Sequence, residues 1–486
     1  MPLLPGECWM RIVDFLPIQD LLSVSRVSNN LHDLAQPLIY RTISWSWDTI
    51  PTQRIFRLLR TTLKNPQLTA HIQHVAMLTS PEVKEDDDPW KPLPQDMNWD
   101  KESGGFADVV QYAQTVANQA KFPHLEKWSQ ALQDGDPYAL VAILLSQLHN
   151  IRSLRLDYSF ILSGFPGLML KHAHFSDSEC MLSNFDSLVT VDYGSNVRIA
   201  EYMKEISDID YVDGYPPCDP DQFMAWFYLP SVKSLAIWLR SMKGVTDLEE
   251  RSNLDQLKTL LIARASVKES DLLSLLEETT VLQTLHLGMA YRWGDEVALY
   301  DSDEILEGLK CVSSTLEKLS LGVEYYPFTL WEYSISQELD ESTRDDFWGF
   351  LKQFPKLQSV EAPITMLLNF SADNAPEVAS LLPSAVRELC LQWDFCRISG
   401  TGWRSERELF EVVRYILAGL GTYTPHLKRI TIRLLFWIRS LEEEHGLCFE
   451  ERVGLQAECA RTGVELVIVF DELSPGLWTQ EDHLFY

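Results

Sequence analysis

Apolar residues near the start of the chain recur at helical spacing and predict three short helices within about forty residues. The first helix opens at Pro5, where a missing N–H leaves no partner unsatisfied, and its apolar stripe is Trp9, Ile12, Val13 and Leu16. Ser28 is the predicted N-cap of the third helix, whose stripe is Leu31, Leu34, Ala35 and Leu38. Three helices of this length hide little apolar surface by themselves, so this module is expected to dock on a partner.

A second pattern runs through the rest of the chain: an apolar residue, two variable residues, an apolar residue, one variable residue and a further apolar residue. A frame of this length is typical of a strand with one buried face. Its copies are 25 residues apart from Leu235 to Leu260 and again to Leu285, and all other gaps are longer. The central apolar residues, called anchors below, are Val75, Leu154, Val191, Leu235, Leu260, Leu285, Leu319, Val360, Leu389, Ile430 and Leu466.

Segments with apolar residues at helical spacing lie between the frames, at 267–279, 342–354 and 405–421. Strands that alternate with helices predict a parallel α/β sheet built as a solenoid with right-handed crossovers. An unrelated α/β domain with amphipathic strands would give the same periodicity. Residues 46–150 are interpreted as a helical linker region, with a helix at 53–65 and an acidic mobile loop at 80–105.

Composition and charge narrow the classes of function. The 486 residues are 46% hydrophobic and 11% aromatic, too apolar for a disordered chain. With 41 Lys and Arg against 70 Asp and Glu, the net charge of −29 disfavours non-specific binding to nucleic acid and docking on anionic membranes. Residues 1–45 carry only −1 of it. Acidic segments between the frames either keep loops solvated or favour binding of a basic protein substrate. These segments are 85–88, 201–221, 295–307, 332–346 and 442–444.

The sequence carries no signature of catalysis or metal binding. Phosphate-loop, zinc-protease and nucleophile-elbow motifs are absent, and the eight Cys form no CxxC pair. The pairs His71/His74 and His172/His174 lack a third ligand at a suitable spacing, so hydrogen-bonded histidines are expected there. We expect no cofactor and no enzyme activity, the alternative being an enzyme without a short motif. The lack of a secretory signal and of a long apolar segment favours the cytoplasm or nucleus.

The N-terminal residues resemble an F-box, in particular its fungal type. The resemblance is carried by Leu4-Pro5-x-Glu7, Phe15-Leu16, Asp20-Leu21-Leu22 and the ending AQPLIYRTI at 35–43, with Leu31 where the family often has Trp. An F-box implies binding to the Skp-family adaptor and, through it, to the cullin of an SCF (Skp–cullin–F-box) ubiquitin ligase. Alternatively, individual residues among the implied adaptor contacts hold the three helices together and do not touch a partner. The implied adaptor contacts are Leu4, Pro5, Ile12, Phe15, Leu16, Leu21, Leu22 and Val24.

The repeated frames resemble the divergent leucine-rich repeats often found behind F-boxes. The spacing of 25 residues matches the period of that family, but the Asn expected after the last apolar position occurs only once, at Asn196. The two resemblances together imply an α/β chain of three parts. These are a three-helix F-box at 1–45, the linker region at 46–150 and an irregular leucine-rich-repeat solenoid, or horseshoe, at 151–486.

Strand alternation identifies candidate contacts for a protein substrate. With the anchors in the core, the residues one and three positions later point to the opposite face of the sheet, which lines the binding surface of most solenoids. Trp238 is the expected hot spot of that surface. The chain is therefore interpreted as a substrate-recognition subunit of an SCF-type ligase, the alternative being an adaptor-binding scaffold outside a ligase. The candidate substrate contacts are Arg155, Asp157, Trp238, His286, Glu361, Gln392 and Arg433.

Overall fold

A computed structural model describes residues 6–79, 105–175, 182–197, 218–243, 245, 254–292, 302–326, 350–368, 372–392, 406–435 and 449–471. The helices are α1 (Gly6–Asp14), α2 (Ile18–Val24), α3 (Asn29–Arg41), α4 (Thr52–Lys64), α5 (Phe106–Gln119), α6 (Leu125–Asp134), α7 (Pro137–Leu145), α8 (Tyr158–Ser163), α9 (Phe165–Phe175), α10 (Glu269–Glu277), α11 (Ser302–Val312), α12 (Ile364–Leu368), α13 (Val378–Leu381), α14 (Glu406–Gly419) and α15 (Phe449–Thr462). The strands are β1 (Thr42–Trp47), β2 (His74–Thr79), β3 (Ser153–Leu156), β4 (Thr190–Tyr193), β5 (Ser234–Ile237), β6 (Thr259–Ala265), β7 (Thr284–Arg292), β8 (Lys318–Tyr326), β9 (Ser359–Pro363), β10 (Glu388–Gln392), β11 (Arg429–Leu435) and β12 (Glu465–Asp471).

The strands form one parallel sheet of twelve strands in which β1 to β12 follow one another in chain order. Each predicted anchor is the Cα partner of the next, from Val75 opposite Leu154 to Ile430 opposite Leu466. All eleven anchors are buried in one hydrophobic core. The predicted frame is therefore confirmed as the strand register, and strands that add in sequence order are the arrangement expected of a solenoid.

The first three helices form the predicted N-terminal module. Ser28 caps α3, where its side chain accepts a hydrogen bond from the N–H of Leu31 at 3.3 Å. Among the described residues of the module, the buried apolar core consists of Val13, Leu21 and Ala35. This core is separate from that of the sheet, and it is small.

The sheet begins earlier in the chain than predicted. β1 follows α3 without a linker, and its Ile43 pairs with Val75 of β2. β1 and β2 precede residue 151, so the sheet extends into the predicted linker region, and the division at 151 stays a prediction. The pattern Tyr40-x-x-Ile43-x-Trp45 fits the frame, but it overlaps the end of an equally plausible helix.

Helices occupy the connections as predicted where the chain is described. The predicted helices at 53–65, 267–279 and 405–421 correspond to α4, α10 and α14. Residues 80–104 of the predicted acidic loop lie outside the described residues. Residues 342–349 of the predicted helix at 342–354 also lie outside them. Helices of successive connections pack on each other, as α10 does on α11.

Both faces of the sheet are covered in its middle part. β6 is buried at all seven of its positions and β9 at all five. Such strands are typical of parallel sheets with a layer on each face. The open inner face that a horseshoe implies is not seen at these two strands, and the horseshoe shape stays a prediction.

Polar contacts fix the turn after β3. The carboxylate of Asp157 caps α8 and accepts hydrogen bonds from the N–H groups of Ser159 and Thr79, each at 2.9 Å, and from the side-chain amide of Asn196 at 2.8 Å. Asn196 stands where the repeat pattern predicts a ladder Asn. Close by, Gly194 has a φ of +76°, and a Cβ there would lie 2.4 Å from the Cδ1 of Ile161. The tight turn therefore requires glycine.

Candidate docking surfaces

Exposed apolar side chains are concentrated in the N-terminal module. Six of the thirteen large apolar side chains that are exposed among the described residues lie between positions 10 and 27. Phe15 has 87% of its surface exposed and Val27 has 72%, values that a free-standing module of its size would not favour. We call this surface the N-terminal apolar face; it consists of Met10, Ile12, Phe15, Ile18, Leu22 and Val27.

Local structure separates this face from the core of the module. In α2, Ile18 and Leu22 are four residues apart and share one exposed side of the helix, whereas Leu21 points into the core and is only 6% exposed. Leu16 is half-buried and packs against that core. Charge contributes little here, because the ion pair between Arg41 and Asp14 is 3.4 Å long and half exposed.

The predicted adaptor contacts are divided by this geometry. Ile12, Phe15 and Leu22 lie on the apolar face, and Leu16 and Val24 are half-buried. Burial of Leu21 means that its side chain stabilises the module, and its contact with an adaptor stays a prediction. Leu4 and Pro5 lie outside the described residues.

Three members of the apolar face were missed by sequence reasoning: Met10, Ile18 and Val27. The spacing of Ile18 and Leu22 by four residues was the available signal for one of them. Met10 and Val27 carry no periodic signal that distinguishes a surface from a core position.

A buried polar network lies on the face of the sheet opposite the anchors. Glu361 of β9 is at its centre and is 2% exposed. Its Oε1 accepts hydrogen bonds from Gln392 at 2.8 Å and from the guanidinium of Arg433 at 3.1 Å, and its Oε2 accepts one from Ser320 at 3.2 Å. His286 extends the network through a contact of 2.9 Å between its Nδ1 and the Ser320 hydroxyl. The network links β7 to β11 across the sheet.

Most of the candidate substrate contacts are inaccessible. Alternation places them on the expected face, but the expectation that they are exposed is wrong at six positions because that face is itself covered. Arg155 alone is half-buried, and it forms an ion pair of 3.3 Å with Asp192. A role in substrate contact stays a prediction for all seven residues. Those with at most 3% exposure are Asp157, Trp238, His286, Glu361, Gln392 and Arg433.

Trp238 illustrates the correction. Its ring packs edge-on against Tyr158, with centroids 6.5 Å apart, and the guanidinium of Arg240 lies 5.2 Å from the ring centroid. These contacts account for its full burial. The side chain expected to anchor a partner serves the interior of the fold.

Burial also governs the ionisation of nearby acids. It raises the pKa of Asp192 above its ordinary value, and the neighbouring Arg155 opposes this shift. Burial likewise raises the pKa of Asp136, which caps α7 by accepting hydrogen bonds from the N–H groups of Tyr138 and Ala139. Both acids have identified structural partners, so they are not evidence of an active site.

The described residues lack the features of a metal site and of a membrane span. They contain no group of three or more His, Cys, Asp or Glu side chains that could hold a metal ion. None of the helices in the described ranges has the length and apolarity to cross a membrane. Neither predicted histidine pair therefore acquires a third ligand among these residues; His172 instead contacts the carbonyl of Ala120.

Comparison with known proteins supports an assignment for the N-terminal module. Residues 1–40 match the F-box domain family. No curated protein matches the chain. Among solved structures, the leucine-rich repeat-containing protein LegL7 from Legionella pneumophila is similar over 55% of this chain and 92% of its own, with 14% identity and a TM-score of 0.26. The N-terminal helices, with their exposed apolar face, form an F-box domain.

Proposed function

We propose that this chain is the substrate-recognition subunit of an SCF-type ubiquitin ligase. Its F-box binds the Skp-family adaptor through the N-terminal apolar face, and the adaptor links it to a cullin. The repeat region binds the protein substrate. Ubiquitin transfer is carried out by other subunits, so the chain needs no catalytic residues of its own.

One observation carries this proposal: the apolar face is exposed on a module that matches the F-box. Burying one large apolar side chain contributes roughly 1.5–3 kcal/mol before the costs of association. Six such side chains are exposed between positions 10 and 27, and large apolar residues are typical of the buried centre of an interface. The face also lies beside a small core, so docking would remove apolar surface that the module itself leaves in water.

The first experiment tests adaptor binding. The full chain is co-purified with a Skp-family adaptor, as wild type, as the double variant Leu4→Ala/Pro5→Ala and as Ile12→Ala. Val453→Ala is the matched control, because Val453 is 45% exposed and Ile12 is 44% exposed. We expect the wild type and the control to retain the adaptor and the other variants to lose it in part or fully. A correctly folded wild-type chain that fails to retain the adaptor would refute the proposal.

The second experiment separates a ligase subunit from a scaffold. The chain is reconstituted with adaptor, cullin and the remaining ligase components, and proteins bound to the repeat region are assayed for ubiquitylation. Ubiquitylation that depends on the F-box supports the ligase. Adaptor binding without cullin recruitment supports the alternative, an adaptor-binding scaffold. A basic substrate stays a hypothesis, since most of the acidic segments that suggested it lie outside the described residues, namely 85–88, 201–217, 295–301, 332–346 and 442–444.

A further inference from the structure

A row of residues follows one edge of the sheet, where the chain enters the strands. Each member of the row immediately precedes a strand or ends the helix before it. From Gln73 to Lys428, the backbone N–H of each member donates a hydrogen bond to the backbone carbonyl of the previous member, at 2.7–2.9 Å. This ladder fixes the members at the spacing of neighbouring strands, about 4.8 Å. We call it the edge row; it consists of Arg41, Gln73, Arg152, Val189, Lys233, Lys258, Gln283, Glu317, Gln358, Arg387 and Lys428.

The charge of the edge row is opposite to that of the chain. The chain has 41 basic against 70 acidic residues, whereas the row has six basic residues and one acid, Glu317. All six basic side chains are exposed. Arg41 pairs with Asp14, and none of the other five forms an ion pair with another described residue.

The segment from β3 to β6 carries three of the six basic residues of the row, with Val189 between Arg152 and Lys233. Lys233 and Lys258 stand on adjacent strands, about 5 Å apart, and Arg152 stands two strands away. Like charges at such spacing repel each other, which an anion bound between them would relieve. The acids in the preceding turns, Asp186 and Asp255, are exposed and form no ion pair with the row.

The row begins in a cleft between the F-box and the sheet. Helix α3 contributes Arg41 and the sheet edge contributes Arg152, and the cleft has a volume of about 340 Å³. His71 and Gln73 complete its polar lining. The pKa of neighbouring His74 is lowered by burial and, in addition, by the positive charges of Arg41 and Arg152, in line with a positive potential at this point. An acidic group can therefore enter between the two guanidinium groups.

We propose that the edge row from Arg41 to Lys258 binds an acidic segment of a protein partner. Carboxylates or phosphoryl groups of an extended chain would meet the three cations Arg152, Lys233 and Lys258 in turn, with one group seated in the cleft. A protein segment fits better than a nucleic acid, because a long polyanion would also meet the acidic remainder of a chain with a charge of −29. This surface shares no residue with the apolar face, so adaptor retention and peptide binding are measured separately.

The test measures binding of a short fluorescein-labelled peptide that alternates Glu and Ser to the full chain, by fluorescence anisotropy at low and high salt. The triple variant Arg152→Gln/Lys233→Gln/Lys258→Gln is compared with a control of equal charge change, Arg54→Gln/Arg57→Gln/Lys64→Gln, on exposed positions of α4. We expect the triple variant to bind about tenfold more weakly or worse, since each exposed pair contributes a factor of about two to five. The control should bind as the wild type does, and high salt should remove the difference.

Four outcomes would overturn the proposal: no binding of the peptide by wild type at low salt, equal binding by the triple variant, an equal loss in the control, or single-stranded RNA binding as tightly through the same three cations. If the triple variant fails to fold, Lys233→Gln and Lys258→Gln alone must each weaken binding about twofold or more. Retention of the Skp-family adaptor is measured on the same proteins. Its loss in wild type would refute the proposed ligase function and leave the edge row unaffected.

Discussion

Phe15 gives the clearest separation between docking and folding. Its side chain is 87% exposed, so Phe15→Ala should change the free energy of unfolding by no more than about 0.5 kcal/mol. Full burial of a Phe side chain at an interface contributes roughly 1.5–3 kcal/mol. Phe15→Ala should therefore weaken adaptor binding by roughly 10- to 150-fold.

Leu21→Ala is the contrasting variant. Leu21 is 6% exposed in a core of three buried apolar side chains among the described residues of the module, and truncating a buried Leu costs about 2–5 kcal/mol of stability. Adaptor binding should fall in this variant too, but only because the module unfolds. Calorimetric titration with purified adaptor gives the affinity, and hydrogen exchange of the amides of α3 (Asn29–Arg41) reports whether the module remains folded.

The expected pattern is lost affinity with intact protection for Phe15→Ala, and joint loss of both for Leu21→Ala. Two results would refute the reasoning. One is unchanged affinity in Phe15→Ala. The other is a Leu21→Ala variant that keeps full protection of α3 and yet loses the adaptor, since Leu21 would then be a contact residue and the division between face and core would be wrong.

Three further predictions concern the sheet and its connections. Glu361→Gln removes the partner of the buried Arg433 and should lower the free energy of unfolding by about 3–5 kcal/mol in urea titrations; the control Glu465→Gln breaks an exposed pair and should cost less than about 1 kcal/mol. The folded-state pKa of Asp136 is raised, so its contribution to stability is largest at low pH and is lost as the pH rises through that pKa. Asn caps helices equally well, so the stability difference between wild type and Asp136→Asn should move in favour of the wild type as the pH falls from neutral towards 4; movement in the other direction would contradict the assignment. Gly194→Ala should lower the free energy of unfolding by about 1–3 kcal/mol and so lower the melting temperature, because residue 194 has a positive φ and its Cβ would meet the side chain of Ile161. An unchanged melting temperature would show that the turn can adjust.

The strand register was predictable from the sequence in detail. An anchor must enter the shared core at the same height in every repeat, so its apolar character is constrained whatever the length of the connection. Val75 and Leu154 therefore pair in the predicted register although 79 residues separate them in the chain. β1 was missed for a local reason: Tyr40 lies in helix α3 and is also the first apolar position of a strand frame, and periodicity does not decide between the two.

Exposure was much less predictable than register. Alternation assigns Trp238 and Glu361 to the face opposite the anchors, but it carries no information about what covers that face, and both side chains are buried. The same limit applies to Leu21 and Leu22, neighbours of equal hydrophobicity of which one is core and the other surface. Their difference arises from how α2 meets α3, a property of three-dimensional packing.

The direct junction of α3 and β1 has a consequence for the geometry of an assembled complex. Arg41 ends the F-box helix and Thr42 begins the sheet, so no hinge separates the two. The eleven steps from β1 to β12 span about 50 Å along the stacking direction. Whatever binds along the sheet is thus held at a fixed reach from the adaptor, and gain or loss of one strand-and-helix unit would move every later unit by about 5 Å. In such a molecule the number of repeats sets the distance between the F-box and the last strands of the sheet.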